Sequence, residues 1–289
     1  MIPLKHITLM PNPYRDQGFR ITQATAEILR QGGAEVKVCL PFHVERLGEV
    51  PQGMRFVTME EALRDCELLI CFGGDGTILH AARMVGRRQI PLLGINTGTM
   101  GFMAELESDE LELLSKIMDG SYTLDKRMLI HVAVKRNGRI IYEDEALNDA
   151  VITKGAVARV IQLTVSCDKQ EAMRFDGDGV IIATPTGATA YSMSAGGPIV
   201  EPTAENIIVT SICAHAMFNR SLVLAKQRQV AVKIGRVGKR NAFLSVDGGK
   251  AFRLNGDDEV IITASNRKVN LVKVKDTSFY AILNHKFQG

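Results

Sequence analysis

At about residue 121 the texture of this sequence changes, and that change limits the possible folds more than any other feature. Before it, strand and helix signals alternate: KHITLM reads as a strand, residues 17–31 as a helix closing on Gly32-Gly33, EVKVCL as a strand, MEEALRDC as a short helix and ELLICF as a buried strand. A glycine loop, a helix from about Thr77 to Val85, a strand at IPLLGIN and an acidic amphipathic helix over residues 108–118 continue the series. Such alternation requires a parallel sheet covered by helices. After it come short β-type runs with turn signals between them. MLIHVAVKRNGRIIYEDE carries an Asn137-Gly138 hairpin turn, and RVIQLTVSCD, NIIVTSIC, SLVLA, QVAVKIG, AFLSVDG, EVIITAS and KVNLVKVK follow. The expected fold is α/β, with an N-terminal Rossmann-like parallel-sheet domain over residues 1–122 and a C-terminal antiparallel, β-rich, sandwich-like domain over residues 123–275. The apolar residues of SFYAILNHKF fall at helical spacing, so residues 276–289 are expected to form a tail helix packing back on the first domain. No Pro/Ser linker separates the halves, and a cleft between them is the natural place for a ligand.

ELLICF-GGDG-TILHAAR is strand, loop and helix, with Thr77 placed to cap the helix. Gly73, Gly74 and Gly76 let phosphate oxygens approach main-chain N–H groups at the positive end of that helix. The loop is neither a Walker loop, since no Lys-Ser/Thr follows, nor a dinucleotide fingerprint, since Leu79 stands where GxGxxG needs glycine. Asp75, a carboxylate inside a phosphate cradle, is electrostatically costly unless a divalent cation shares the site or the carboxylate accepts a proton there. Both situations describe phosphoryl transfer. The competing reading is a helix-start turn in which Asp75 complements the helix dipole, but a cap needs one polar residue and not three glycines. GGDGT followed by a helix resembles a superfamily that includes NAD kinases, diacylglycerol and sphingoid lipid kinases, and phosphofructokinases. The pentapeptide alone leaves those choices open.

The longest motif is DGDGVIIATPTGATAYSMSAGGPIVEP, residues 176–202. Asp178 can accept hydrogen bonds from ribose hydroxyls or a carboxamide, and Gly179 can let a ligand close to the backbone. Pro185, Gly187 and Ala188 make a tight turn presenting Thr189, Ala190, Tyr191 and Ser194 on one edge, with the Tyr191 ring suited to a purine or nicotinamide. This run, with ALNDAVI before it and GGDGT in the other domain, resembles the NAD kinase family over most of the chain. The resemblance implies NAD-binding positions at Asn148, Asp149, Arg159, Asp176, Asp178, Thr189, Ala190, Tyr191, Ser192, Met193, Ser194 and Gly249. It places Asn12 and the TGTMG turn, residues 97–101, in the walls of the cleft, where open α/β sheets bind ligands. Gly73, Gly74, Gly76, Thr77 and Asn12 would hold the phosphates of ATP.

The activity so implied is Mg²⁺-dependent transfer of a phosphoryl group from ATP to the 2′-hydroxyl of the adenosine ribose of NAD, giving NADP, with Asp75 as the catalytic carboxylate. No direct metal motif is present; Mg²⁺ or another divalent cation is expected with ATP. Family members assemble as dimers or tetramers, so a homodimer or homotetramer is expected. Three departures from the family pattern bear on donor and acceptor preference: Gly249 where many members carry Gln after Val-Asp-Gly, Ala188 where Ser is usual, and the additional acid Asp176. The alternatives are a GGDGT-type lipid kinase, which would need an apolar acceptor pocket, and a non-enzymatic NAD-binding regulator, against which the intact Asp75 stands.

Composition excludes other classes. The formal charge of +3 is too small for a nucleic-acid partner, and the cluster GRVGKRN, residues 235–241, reads as a solvated turn. No apolar stretch is long enough to span a membrane, and the N-terminus lacks a secretory signal, so the expected address is the cytoplasm. Five cysteines (Cys39, Cys66, Cys71, Cys167, Cys213) form no CxxC pair and read as reduced, buried thiols. The six histidines show no metal-ligand spacing.

Overall fold

A computed structural model describes residues 4–42, 44, 50–85, 88–98, 101–155, 159–215, 220–235, 242–256 and 258–288. Most of GRVGKRN and positions 99 and 100 of the TGTMG turn lie outside them. The chain forms two compact units, Met1–Lys126 with Val269–Gly289, and Arg127–Lys268.

In the first unit β1 (His6–Pro11), α1 (Arg20–Gln31), β2 (Glu35–Val38), α2 (Met59–Ala62), β3 (Leu68–Phe72), α3 (Asp75–Val85), β4 (Leu92–Asn96), β5 (Leu106–Glu107) and α4 (Leu114–Met118) follow in chain order. The strands pair in parallel in the order β2-β1-β3-β4. Every residue of β3 and β4 is buried, which is why both read as unbroken apolar runs rather than alternating ones.

Two of the expected helices differ in detail. The helix over residues 17–31 is a 3₁₀ turn, Gln17–Phe19, joined to α1 through a left-handed Phe19 (φ 54). Asp16 causes the break: its buried carboxylate accepts from the N–H of Ile21 at 3.1 Å and of Thr22 at 2.9 Å, capping α1. The acidic helix over 108–118 shrinks to a 3₁₀ turn at Leu111–Leu113 and the short α4. There the Glu110 carboxylate turns back to accept from the Glu107 N–H at 2.8 Å and holds residues 107–110 in a turn.

The second unit takes the chain through β6 (Thr123–Arg136), β7 (Arg139–Ala146), β8 (Asp149–Lys154), β9 (Ile161–Cys167), β10 (Gln170–Gly177), β11 (Gly179–Ala183), α5 (Tyr191–Ser194), β12 (Asn206–Ile212), β13 (Leu222–Ala225), β14 (Val230–Ile234), β15 (Ala242–Val246), β16 (Phe252–Leu254) and β17 (Glu259–Lys273). The β6–β7 turn has Asn137 and Gly138 at φ 49 and 80, as a type I′ hairpin requires. One antiparallel sheet runs β13-β12-β11-β8-β15-β16, and β9, β10, β14 and the first half of β17 pair in another. Their inner faces meet in one apolar core that includes Ile152, Val180, Ile182, Val209 and Leu244 from the first sheet and Leu163, Val165, Val232 and Ile262 from the second. β11 is buried on both faces. Val180 and Ile182 enter this core, while Ile181 and Ala183 pack with Val151, Ala188, Ile208 and Ile212 on the other side.

The units divide at 126/127 and 268/269, against the sequence-based 122/123 and 275/276. EVIITAS and KVNLVKVK, expected as separate runs, form the single strand β17; its end pairs Leu271 with Leu92 in β4, and Val272 and Val274 enter the first unit's core. The tail helix α6 (Phe279–Gln288) also belongs to the first unit. All five cysteines are free thiols, but only Cys39 and Cys71 are buried; Cys66 and Cys167 are intermediate and Cys213 is exposed. Among the described residues no helix is long and apolar enough to cross a membrane.

Candidate active site

In the first unit the loops at the C-terminal ends of β1, β3 and β4 are tied to one another through the backbone. Asn12 N–H donates to Phe72 O at 3.1 Å and Gly73 N–H to Ile95 O at 3.0 Å. The Asn12 side chain donates to Thr77 Oγ1 at 3.3 Å. Asn12, Gly73, Gly74, Asp75, Gly76 and Thr77 therefore form one constellation. Gly73 adopts φ 152, and a Cβ there would stand 2.3 Å from Thr77 Oγ1, so only glycine fits. A Cβ on Gly74 or Gly76 would meet nothing within 4 Å, which leaves open space over the main chain at the helix start.

Thr77 does not cap the helix. α3 starts two residues earlier, at Asp75, and the Gly74 carbonyl accepts from the N–H of Thr77 at 2.9 Å and of Ile78 at 3.3 Å. Thr77 is buried in the first turn and serves Asn12 instead. The Asp75 carboxylate points to the segment after β4, where Oδ2 accepts from Phe102 N–H at 2.8 Å and Oδ1 from Met103 N–H at 3.0 Å. Arg15 was not singled out by sequence. Its guanidinium would lie 3.8 Å from a Cβ on Gly98, which brings a cation to the same strand ends; its place in the loop that holds Asn12 was the available signal.

In the second unit the two separately quoted motifs come together. Asp247 (φ 49) and Gly248 (φ 66) form a type I′ turn between β15 and β16. The Asp247 carboxylate accepts from the N–H groups of Leu147 at 2.8 Å, Asn148 at 2.8 Å and Asp149 at 3.1 Å. The Thr-Pro-Thr-Gly turn packs on the same segment: Thr184 N–H donates to Asn148 O at 2.8 Å, and Thr184 Oγ1 donates to Leu147 O. A Cβ on Gly187 would lie 2.1 Å from Asn148 O. Asn148 Oδ1 is buried without a hydrogen-bond partner among the described residues, an acceptor that a ligand N–H or O–H could satisfy. Beyond the turn, Tyr191 (44% exposed) and Ser194 are exposed, while Thr189, Ala190 and Met193 are half-buried.

Burial, with the Asp247 carboxylate nearby, pushes the Asp149 carboxyl up to about 7. Between about pH 4 and 7 the folded chain thus holds a proton that the unfolded chain has released, so this group's contribution to stability falls as pH rises through that window and is flat above it. Asp149→Asn, which fixes the neutral form, is expected to gain unfolding midpoint relative to the unsubstituted chain between pH 5 and 8. Thermal melts across that range would show the gain; a pH-independent difference would contradict it.

Other sequence-predicted positions stand elsewhere. Ala183 pairs with Asp149 at one end of β11, whereas Gly179 pairs with Thr153 at the other, so Asp176 and Asp178 lie at the opposite strand end from Asn148. Asp178 forms an ion pair with Lys154 at 2.6 Å, and Asp176 is exposed, its carbonyl accepting from His215 N–H at 2.7 Å. Gly179 does not open the backbone to a ligand. A Cβ there would lie 2.2 Å from Ile152 O, so the neighbouring strand requires the glycine. Ser192 turns inward, its Oγ sharing a buried hydrogen bond of 3.0 Å with Thr210 Oγ1, which in turn shares a part-buried one of 3.0 Å with Ser221 Oγ. Its hydroxyl is committed to the fold. Arg159 is exposed just before β9, and Gly249 closes the Asp247 turn by donating to Val246 O at 2.8 Å.

Comparison with known proteins decides which of the enzymes sharing a GGDGT loop these sites resemble. Residues 14–122 match the ATP-NAD kinase N-terminal domain and residues 147–274 the ATP-NAD kinase C-terminal domain. The chain belongs to the ATP-NAD kinase family. Two relatives match over nearly their whole length: the NAD kinase of Natranaerobius thermophilus is 37% identical over 287 residues, covering 99% of each chain, and that of Acetivibrio thermocellus 34% over 282 residues, covering 97% and 96%. A crystal structure of yeast NADH kinase complexed with NADH superposes with TM-score 0.86 at 26% identity, over 99% of this chain and 88% of that one. An NAD kinase from Archaeoglobus fulgidus in complex with ATP shares the fold with TM-score 0.74 at 24% identity, over 98% of each chain. Membership gives the activity class, a kinase that phosphorylates NAD with ATP as donor.

Proposed function

We propose that Asp75 orients the 2′-hydroxyl of the adenosine ribose of NAD and accepts its proton as the terminal phosphoryl group of ATP transfers to it, giving NADP. The bond formed joins the ribose oxygen to the γ-phosphorus; the bond broken is that to the bridging oxygen of ADP. The observation that carries this reading is the carboxylate at the first residue of α3, beside open main chain at Gly74 and Gly76. Phosphates approaching those N–H groups meet the positive end of a helix. Asn12 fixes Thr77, and the Arg15 guanidinium supplies a cation nearby.

Among the described residues no group of three or more His, Cys, Asp or Glu could hold a metal by itself. Asp75 is the one carboxylate of this loop, which suits a Mg²⁺ that arrives with the triphosphate and is held mostly by phosphate oxygens and water. When bound, the ion offsets the charge of the transferring group.

In the second unit Asn148, Asp149 and, from the 189–194 run, Thr189, Ala190, Tyr191, Met193 and Ser194 hold NAD, with the exposed Tyr191 ring stacking on it and Asn148 Oδ1 accepting from it. Truncating an orphan acceptor removes a ligand contact and leaves no new unpaired partner in the fold. Asn148→Ala is therefore expected to raise KM for NAD about 10-fold while the unfolding midpoint holds or rises. An unchanged KM would remove Asn148 from the binding set. The free thiols suit a cytoplasmic setting, and the family's habit supports a homodimer or homotetramer.

The function is tested by a matrix of donors (ATP, other nucleoside triphosphates, polyphosphate) against acceptors (NAD, NADH, diacylglycerol). The reading requires NADP from ATP and NAD. Phosphorylated lipid without NADP would replace it.

A further inference from the structure

The Asp75 carboxylate is held by two main-chain amides, those of Phe102 and Met103. The contact is close because residue 101 is glycine: a Cβ there would stand 2.0 Å from Asp75 Oδ1. The segment presenting these amides is braced on its other side by the C-terminal stretch of the chain. Glu105 is buried, and its Oε1 accepts from the N–H of Val274 at 2.8 Å and of Lys275 at 2.7 Å, while Lys273 forms an ion pair with Oε2. The Phe279 ring lies 6.2 Å from the Phe102 ring, and Lys286 Nζ sits 4.9 Å over the Phe102 face. All these groups belong to the first unit.

We propose that α6 is a positioning element for the reaction: through Phe102 it fixes the two amides that aim the Asp75 carboxylate. The proposal rests on the role given to Asp75 above. A carboxylate has about four lone-pair directions, so two amide contacts leave acceptor capacity for a substrate hydroxyl while removing the side chain's freedom to rotate. Catalysis by a positioned group is sensitive to displacements of about 1 Å, so loosening the amides lowers turnover while leaving binding groups elsewhere untouched. α6 contributes no buried side chain to the core, which sets a positioning role apart from a merely structural one.

The test is made on the full chain by hydrogen exchange at the Phe102 and Met103 amides together with steady-state kinetics. Phe279→Ala is expected to speed exchange there by about 10-fold or more. It is also expected to lower kcat about 10-fold with KM for NAD and ATP within about 2-fold. Phe279→Tyr, which keeps the ring contact, is expected to restore both. Unchanged exchange in folded Phe279→Ala overturns the proposal, as does faster exchange with unchanged kcat. Should Phe279→Ala fail to fold, Lys286→Ala decides: smaller shifts in the same direction support the proposal, and no shift in either readout overturns it. Absence of NADP formation by the unsubstituted chain would refute the reaction, whereas exchange reports on the brace whether or not the chain turns over.

Discussion

Asp75→Asn is expected to lower kcat for NADP formation about 10³-fold while the dissociation constant for NAD changes little. The substitution keeps size and shape, so the loss isolates the carboxylate's proton-accepting and charge-placing role. It has a local structural cost as well. Each carboxylate oxygen accepts one amide, at 2.8 Å from Phe102 and 3.0 Å from Met103, and Asn must turn an NH₂ toward one of those donors. That mismatch costs about 1–3 kcal/mol at the site, and its visible form would be faster hydrogen exchange in the 101–103 segment. Single-turnover and steady-state rates with saturating NAD and ATP, beside equilibrium NAD binding, separate the two effects. Retention of more than a tenth of the unsubstituted kcat would show that Asp75 is only a helix-start residue.

Gly187→Ala has the largest expected effect on stability. A Cβ at this position would fall 2.1 Å from the Asn148 carbonyl oxygen, 2.5 Å from its carbon and 2.7 Å from its Cα. These are backbone atoms, held by Thr184 N–H at 2.8 Å on one side and by the Asp247 carboxylate on the other, so no flexible side chain can yield. Overpacking of this kind costs about 3 kcal/mol, or about 5 °C in unfolding midpoint for a chain of 289 residues. Because the Thr-Pro-Thr-Gly turn and Asn148 move together, KM for NAD should rise in whatever folded protein remains. A melting temperature within about 2 °C of the unsubstituted chain would mean that the two segments do not pack as described.

Much of this was legible in the sequence because the signals were local. The continuous apolar runs LLICF and LLGIN gave the buried parallel strands, and Asn137-Gly138 gave the first hairpin, since that turn needs residues that tolerate positive φ. The GGDGT constellation was legible for the same reason. What escaped were groups whose role depends on a partner far along the chain. Thr77 looked like a cap, but the Gly74 carbonyl supplies the cap from the main chain, a function no side-chain code records. Gly179 looked like a ligand approach, yet its requirement comes from Ile152 on the adjacent strand. Ser192 sits in a hydroxyl-rich turn with every appearance of a binding group, and only the position of Thr210 shows that its hydroxyl is spent internally. The run of aspartates around β11 read as one site, but a strand of five residues separates Asp178 from the Asn148 end by about 17 Å.

In the proposed reaction Asp75 directs a phosphoryl group onto the 2′-hydroxyl of NAD. The most direct test is to incubate the full-length chain and its Asp75→Asn variant with Mg²⁺, ATP and NAD, following the product with an NADP-specific dehydrogenase and locating the new phosphate by phosphorus NMR. NADP phosphorylated at the 2′ position is expected from the unsubstituted chain and almost none from Asp75→Asn. Phosphate on any other hydroxyl, or equal NADP formation by both proteins, would contradict the proposed reaction.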